Sequence, residues 1–211
     1  HLKAAGIEVF CGLLEQEAEV LNRGFISRMT RGLPWVRLKI AASLDGKTAL
    51  GNGQSQWITG PTARKDGHHW RAQACAIVTG VGTIKEDDPL LNVREVATQR
   101  QPWKVIVDSK LETPSSAKIL KNLGGAKVII MCGKLDSKEQ QQKAAIFREQ
   151  GIEVTEMPNT QGKVDLPKMF AYLAQELKLP YTIYLKIICI WFQDLHYFCF
   201  SVTIGITFYH H

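Results

Sequence analysis

Between residues 37 and 94, Trp57, Arg71, Arg94 and several hydroxyl groups are of the types that line a binding cleft. Trp57 lies in the run Ser55-Gln-Trp-Ile-Thr59, where an indole can stack on a flat ring, although a core position is the better interpretation of this tryptophan alone. Arg71 and Arg94 can each hold a phosphate in a forked geometry that lysine does not reproduce, and ordinary surface ion pairs are the alternative. Together these groups predict a site for a nucleotide and a phosphorylated ligand.

Two short runs between the arginines add groups that can face such a ligand. The run Gly80-Val-Gly82-Thr83 follows a predicted strand, and its glycines allow the backbone to approach a phosphate closely. Lys85 occupies the place of the third glycine of a G-x-G-x-x-G fingerprint, so a Rossmann site is disfavoured and an ordinary turn is the alternative. The run Asp87-Asp88-Pro89 predicts a loop whose acids either cap, turn or accept hydrogen bonds from a ribose or an amine.

Metal and hydrolytic chemistry find no support in the sequence. His68 and His69 are adjacent and not four residues apart, so shared zinc ligation from one helix face is disfavoured, and we predict no metal. The chain has no G-x-S-x-G elbow and no Walker A loop. Its five cysteines include no C-x-x-C pair, and their odd number argues against a disulfide framework. Reduced thiols and a start without a visible export signal predict a cytoplasmic protein, although the first residue is not Met.

The composition is that of a globular domain. A chain of 211 residues that is 45% hydrophobic and 22% charged suffices for one domain with a real core. The net charge of +6 suits nucleic acid, but it suits enzymes of phosphorylated metabolites equally, and no nucleic-acid-binding motif is present. We therefore predict a small-molecule partner and no nucleic acid.

Periodicity predicts alternating strands and helices. An apolar stripe at Leu14, Ala18, Leu21, Phe25 and Met29 predicts a helix over residues 13–29 whose apolar face packs on another surface. Short apolar runs without polar alternation are typical of strands that are covered on both faces, and they favour a largely parallel sheet flanked by helices. The predicted strands are 36–44, 75–79, 103–107, 127–131 and 152–156, and the further helices are 61–73, 136–149 with Asp136 as the cap, and 165–177.

The composition changes abruptly beyond residue 180. Residues 181–211 hold nine of the 18 aromatic residues and two formal charges, Lys186 and Asp194. This tail is strongly β-prone, and polar residues interrupt it too often for a membrane span, so we predict no membrane partner. We treat residues 181–211 as an atypical aromatic-rich tail.

Six motifs in a fixed order carry a family resemblance: Lys39-Ile-Ala-Ala-Ser-Leu-Asp-Gly46, Ser55-Gln-Trp-Ile-Thr59, Arg71-Ala72, Gly82-Thr83, Asp87-Asp-Pro-Leu-Leu-Asn-Val-Arg94 and Val107-Asp-Ser109. With them, residues 1 to roughly 177 resemble the C-terminal pyrimidine reductase domain of the bifunctional riboflavin-biosynthesis deaminase/reductase, preceded by the last piece of its deaminase domain. The resemblance implies a dihydrofolate-reductase-like α/β fold, and it divides the chain into a linker helix at 1–32, a reductase domain at 33–180 and the tail.

The resemblance also implies a reaction and the residues that serve it. The expected reaction is the NADPH-dependent reduction of the ribosyl group of 5-amino-6-(5-phosphoribosylamino)uracil to a ribityl group, in an enzyme that can form a homodimer. The positions that match cofactor contacts are Ala41, Trp57, Thr83, Asp87 and Ser109. The positions that match substrate contacts are Ser55, Arg71, Leu91 and Arg94, with the arginines on the 5-phosphate. No side chain is nominated as proton donor.

The chain departs from the family pattern at both ends. The zinc signature of the deaminase, His-x-Glu followed by Pro-Cys-x-x-Cys, is absent, so no deamination is expected. The Val-Glu-Gly/Ala-Gly type loop and the strands that the family places after residue 177 are not recognisable in 181–211, which predicts a truncated or altered domain with an incomplete sheet. The alternatives are a tail that supplies strands by a different sequence, an inactive fragment or interaction module, and a related reductase for another pterin- or pyrimidine-like substrate.

Overall fold

The described backbone forms one seven-stranded sheet. The structure, a computed structural model, describes residues 1–42, 46–48, 50–51, 58–121, 125–177, 183–186 and 200–206. All strand pairings in the sheet are parallel, and the strand order is β5-β4-β3-β2-β6-β1-β7. The strands are β1 Val36–Ala42, β2 Ala76–Gly80, β3 Trp103–Val107, β4 Val128–Cys132, β5 Glu153–Glu156, β6 Ile183–Lys186 and β7 Phe200–Ile206.

Helices cover both faces of this sheet, which confirms the predicted α/β fold with a mostly parallel sheet. Successive residues of a strand point to opposite faces, so Ile106 belongs to one buried cluster and Val105 to the other. Phe147 of α5 packs in the first cluster and Phe170 of α6 in the second. The helices are α1 Glu15–Arg31, α2 Pro61–Gln73, α3 Val81–Asp87, α4 Lys118–Lys121, α5 Lys138–Glu149 and α6 Leu166–Gln175, and a short 3₁₀ turn spans Lys3–Ala5.

The ends of the helices follow from local capping chemistry. Pro61 occupies the first turn of α2, where its missing N–H leaves no gap. The predicted cap of α5 is wrong by one residue, because Ser137 and not Asp136 caps the helix. The Ser137 hydroxyl accepts from the Gln140 backbone N–H at 3.1 Å, and the Gln140 side chain accepts from the Ser137 N–H at 3.2 Å. This reciprocal pair is a capping box.

Helix α1 contacts the rest of the described domain through a different face from its apolar stripe. Leu21, at the centre of the stripe, is 82% exposed, and Phe25 and Met29 are exposed as well. The contacts with the domain come instead from Ser27, whose hydroxyl donates to the Leu33 carbonyl at 2.9 Å, and from the Arg28 guanidinium. The helix therefore forms where the periodicity predicts it, its apolar stripe is not covered by the described part of the chain, and the expectation that the stripe packs on another surface stays a prediction.

The tail supplies two strands of the sheet, contrary to the prediction of an incomplete sheet. Strand β6 lies between β1 and β2, and Ile183 is fully buried there, with its backbone N–H donating to the Trp35 carbonyl at 2.8 Å. Strand β7 pairs with β1 along its entire length. A parallel sheet needs a strand in the central position, because otherwise the facing edges of β1 and β2 would leave buried backbone groups without partners. The alternative, strands supplied by a different sequence, is what the structure shows for these two segments.

Candidate active site

The carboxyl ends of the central strands bring together part of the predicted cofactor set. Because the strands are parallel, the ends of β1, β2 and β3 lie at one edge of the sheet. Ala41 is the second-last residue of β1, Thr83 lies in the first turn of α3 directly after β2, and Ser109 follows β3 by two residues. Asp87 is the last residue of α3. The sheet topology therefore gathers Ala41, Thr83 and Ser109 at one edge, with Asp87 one short helix away.

The turn between β2 and α3 has open space beside its glycines. Among the described residues, no atom lies within 4 Å of the place that a Cβ would occupy at Gly80 or Gly82. Gly80 has an extended backbone with φ −87°, so neither its conformation nor its packing requires glycine. Thr83, the next polar residue, is buried in the first turn of the helix. The fold thus leaves the backbone of this turn free to approach a ligand.

Ser109 is held in place by the loop that follows β3. Its hydroxyl accepts the Val164 backbone N–H at 3.0 Å and keeps its own hydrogen to donate, and its carbonyl accepts from the Gly133 N–H at 3.0 Å. The neighbouring Asp108 is fully buried, and its carboxylate accepts from the Glu112 N–H at 2.9 Å and from both the N–H and the hydroxyl of Thr113 at 2.6 Å. The sequence identifies Asp108 only as part of the Val107-Asp-Ser109 motif, whereas in the structure its carboxylate holds this loop through three hydrogen bonds.

The segment from Asp87 to Arg94 takes two left-handed turns. Asp88 has φ 38° and Leu91 has φ 50°, conformations that cost a residue with a Cβ about 1–2 kcal/mol. The Asp88 carboxylate accepts from the Lys118 backbone N–H at 2.8 Å at the start of α4. The Leu91 side chain is buried in the core, so a ligand can meet this predicted substrate contact only at its backbone.

His68 connects helix α2 with the segment that carries Arg94. Its side chain faces the domain and the residue is only 3% exposed. The ring Nδ1 accepts the Arg94 backbone N–H at 3.4 Å, and Nε2 lies 3.6 Å from a carboxylate oxygen of Glu95. Burial, followed by the positive charges of Arg71 and Arg94, lowers the His68 pKa to about 4, against an opposing effect of Glu95. Both predicted phosphate-binding arginines are therefore electrostatic neighbours of one neutral imidazole.

Sequence reasoning considered His68 only as a metal ligand and missed this arrangement. The available signal was its position three residues before Arg71, which places the two side chains on the same face of a helix. Nothing in the sequence connects position 68 with position 94. Among the described residues, no group of three or more His, Cys, Asp or Glu side chains is arranged to hold a metal ion.

The predicted substrate set is only partly described. Arg71 is half-buried in the last turn of α2, and Arg94 is exposed, with its guanidinium 3.4 Å from the Asn92 side-chain oxygen. Ser55 and Trp57 lie outside the described residues, so the expected meeting of the indole with the arginines stays a prediction. Arg71 and Thr83 lie beyond opposite ends of the five-residue strand β2, which spans about 17 Å. The arrangement suits two ligands that together extend along the strand, and not one compact ligand.

Every helix in the part of the chain that the structure describes is too short or too polar to cross a membrane.

Comparison with known sequences finds a matching family and relatives named as riboflavin-biosynthesis proteins. The RibD C-terminal domain family matches residues 34–179. The riboflavin biosynthesis protein RibD of Aquifex aeolicus is 41% identical over 153 residues, which cover 72% of this chain and 41% of that protein. RibD of Bacillus amyloliquefaciens is 35% identical over 215 residues, covering 98% of this chain and 56% of that protein. The chain thus spans about half the length of these curated relatives.

Solved structures agree with this placement. RibD of Acinetobacter baumannii in one crystal form is 31% identical and superposes with a TM-score of 0.77 over 100% of this chain and 56% of its own. The riboflavin biosynthesis reductase Rib7 of Saccharomyces cerevisiae, 21% identical, superposes with a TM-score of 0.63 over 92% of this chain and 84% of its own, and at that identity it supports the fold alone. On the match over residues 34–179 and the similarity to these relatives, the chain belongs to the RibD C-terminal domain family.

Proposed function

We propose that this chain is the reductase part of a riboflavin-biosynthesis enzyme and reduces the ribosyl group of 5-amino-6-(5-phosphoribosylamino)uracil to ribityl with NADPH. The observation that carries the proposal is the pair of arginines beside one buried, neutral imidazole, in a chain that matches the RibD C-terminal domain over residues 34–179. A Thermotoga maritima protein that is 27% identical over 87% of this chain is named as a deaminase and 5-amino-6-(5-phosphoribosylamino)uracil reductase. That name supports the substrate proposed here.

The carboxyl edge of the sheet has the groups that a dinucleotide needs. Gly80 and Gly82 leave room for a phosphate beside the backbone, and the Ser109 hydroxyl keeps a hydrogen to donate. Thr83 and Asp87 lie on the same short helix, and Ala41 offers its backbone at the end of β1. NADPH supplies the hydride when it is bound. The protein's own contribution is to hold the nicotinamide and the sugar in register, which removes the entropic cost of bringing the two reactants together.

The arginine pair suits the 5-phosphate of the substrate. Arg71 and Arg94 bring two guanidinium groups close to His68, and a phosphate ester between them can accept charge-assisted hydrogen bonds from both. Ser55 and Leu91 remain proposed contacts to the rest of the substrate, and Trp57 a proposed contact to the cofactor. Held by these residues, the substrate would offer C1 of its sugar to the reduction that NADPH would supply. The bond between C1 and the ring oxygen would break as that oxygen takes up a proton, which would open the ribosyl ring to the ribityl chain.

Oxidation of NADPH tests the proposal. The loss of nicotinamide absorbance is followed with the purified chain and the deaminated pyrimidine substrate. We expect turnover, and we expect Arg94→Ala to raise the substrate KM by about tenfold or more, because it removes charge-assisted hydrogen bonds. The NADPH dissociation constant should not change. Arg31→Ala, which removes an exposed arginine at the end of α1, is the matched control.

Each outcome of this assay bears on the proposal. Binding of NADPH without turnover would overturn the reductase activity and favour an inactive member of the family. Turnover with an unchanged substrate KM in Arg94→Ala would overturn the assignment of the phosphate site. An equal rise of KM in Arg31→Ala would show that net positive charge, and not a specific contact, holds the substrate.

We also propose how the chain is organised around the reductase unit. Residues 1–32 would be a linker helix and the last piece of a deaminase domain, and the exposed stripe around Leu21 is the kind of surface that another domain covers. The catalytic unit would begin at residue 33, act in the cytoplasm and form a homodimer. Size-exclusion chromatography with light scattering tests the dimer, and a monomer at micromolar concentration would argue against it.

A further inference from the structure

We propose that His68 is a positioning residue for the phosphate site: by accepting the Arg94 backbone N–H, it fixes the segment 91–95 against helix α2 so that Arg71 and Arg94 bind one phosphate ester together. This inference deepens the proposed function and rests on it for the identity of the ester. His68 itself touches neither the substrate nor the cofactor in this assignment. It acts through the backbone of Arg94.

The hydrogen-bond geometry defines the protonation state that His68 needs. Because Nδ1 accepts the Arg94 N–H, the proton of the neutral ring resides on Nε2. Nε2 lies 3.6 Å from a carboxylate oxygen of Glu95, so the N–H of the ring faces a negative group. One imidazole therefore contacts two consecutive residues of the segment, one at its backbone and one at its side chain. Such a pair of contacts fixes the direction in which the Arg94 side chain leaves the backbone.

The charges around His68 keep the ring in this state. Arg71 faces it from the same helix, and Arg94 and Glu95 face it from the segment that follows α3. Its burial and the two guanidinium charges depress the His68 pKa to about 4, so the ring stays neutral and keeps its acceptor at neutral pH. With the Glu95 carboxylate counted, the two guanidinium groups leave a net positive charge beside the ring. This charge favours an anionic phosphate ester.

The two left-handed residues show why the segment needs such an anchor. Asp88 and Leu91 both have the left-handed backbone conformation that residues with a Cβ rarely adopt, and the Leu91 side chain is fixed in the core. Arg94 follows Leu91 by three residues and is exposed. In the described structure, the contacts of the segment's polar end are the one to His68 and the hydrogen bonds between Val93 and the Gln101 side chain at 2.8 and 3.0 Å. Removal of the imidazole leaves the hydrogen bonds between Val93 and Gln101 to hold this end, and the backbone N–H of Arg94 itself loses its acceptor.

Binding of ribose 5-phosphate tests the inference without any need for turnover. In the full chain, His68→Leu should weaken ribose 5-phosphate binding about tenfold, because one of two charged partners loses its position. His68→Asn should stay within about threefold, since the asparagine side-chain oxygen lies where Nδ1 lies and accepts the same N–H. The matched control is His69→Leu, because His69 is an exposed neighbour whose ring contacts the Gln73 side chain. The NADPH dissociation constant should stay the same in all three variants.

A double-mutant cycle and amide exchange separate positioning from a general structural effect. In an Arg94→Ala background, His68→Leu should have no further effect on ribose 5-phosphate binding. The Arg94 backbone amide should exchange faster in His68→Leu than in the wild type or in His69→Leu. Additive effects in the cycle, an unchanged Arg94 exchange rate, or an equal loss of NADPH affinity would each overturn the inference.

The same measurements distinguish this inference from the proposed function. A wild-type chain that binds ribose 5-phosphate in the way described but never oxidises NADPH leaves the role of His68 intact and overturns the reductase activity. A wild-type chain that turns over while His68→Leu binds ribose 5-phosphate normally leaves the activity intact and overturns the role of His68. A wild-type chain that does not bind ribose 5-phosphate overturns the paired-arginine site and with it this inference.

Discussion

Substitution of the buried Asp108 by asparagine is the sharpest test of how the fold holds the loop after β3. The Asp108 carboxylate accepts three hydrogen bonds, one from the Glu112 N–H at 2.9 Å and two from Thr113 at 2.6 Å. An asparagine of nearly the same shape keeps one oxygen and presents an NH₂ group in place of the other. In the better orientation of the asparagine amide, its oxygen accepts from both Thr113 donors. Its NH₂ group then faces the Glu112 N–H, so that two hydrogen-bond donors meet without an acceptor.

The size of the effect follows from those contacts. A hydrogen bond to a charged group contributes about 1.5–3 kcal/mol, and a buried donor left without an acceptor adds its own desolvation cost. Asp108 is 0% exposed, so water cannot replace the lost acceptor. We expect Asp108→Asn to lower the free energy of unfolding by about 2–4 kcal/mol. For a chain of this size the melting temperature should fall by about 5–15 °C.

Urea unfolding followed by circular dichroism measures this change. The urea midpoint should fall while the slope of the transition stays the same, since the substitution does not alter the surface exposed on unfolding. The control is Asp136→Asn, which removes an exposed carboxylate that pairs with Lys134 at 2.9 Å; this change should stay within about 0.5 kcal/mol. A loss below about 1 kcal/mol in Asp108→Asn, or a loss no larger than in the control, would refute the account of the loop.

Three further substitutions test other parts of the structure. Gly82→Ala has room for its Cβ, so it should leave the free energy of unfolding unchanged or raise it by up to about 1 kcal/mol. The same substitution should weaken NADPH binding, which fluorescence titration measures. An unchanged NADPH affinity would mean that the cofactor phosphates bind elsewhere. Leu21→Ser should leave the melting temperature within about 2 °C of the wild type, because Leu21 is 82% exposed, and a large drop would mean that the apolar stripe packs after all. The His68 pKa in the folded chain is about 4, below its ordinary value of 6.5, so the unfolded chain takes up a proton at a higher pH and the free energy of unfolding should fall as the pH falls from 6.5 towards 4. His68→Asn should show a shallower fall in acid unfolding curves. An identical slope in the wild type and the variant would count against a buried neutral ring.

The elements that the sequence predicts well are those with a local cause. Helix α2 runs over the predicted residues 61–73 because Pro61 can stand only in the first turn of a helix. Strand β3 runs over the predicted residues 103–107, and its neighbours shift by one residue, because an apolar run without alternation specifies a buried strand but not its last residue. The parallel sheet follows from the alternation of such strands with helices.

The elements that the sequence does not predict depend on partners far along the chain. Asp136 and Ser137 are both good caps, and each is followed three residues later by a residue that completes a capping box, so only the packing of α5 selects Ser137. The stripe of α1 gives a helix its apolar face but does not say what covers it. His68 carries no motif at all, and its role emerges only when the fold brings the segment of Arg94 against α2.

The tail shows the same dependence most clearly. Strand β6 is four residues long, with Ile183 in register with Val36 on one side and with Ala76 on the other. Both neighbouring strands carry their own backbone donors and acceptors into this gap, and an empty gap would leave them buried and unpaired. The strand is therefore specified by the two edges that it joins more than by its own residues, since any short β-prone segment of suitable length satisfies them. Because β6 is parallel to its neighbours, it ends at Lys186 at the same edge of the sheet as the carboxyl ends of β1 and β2, the edge that carries Ala41 and Thr83.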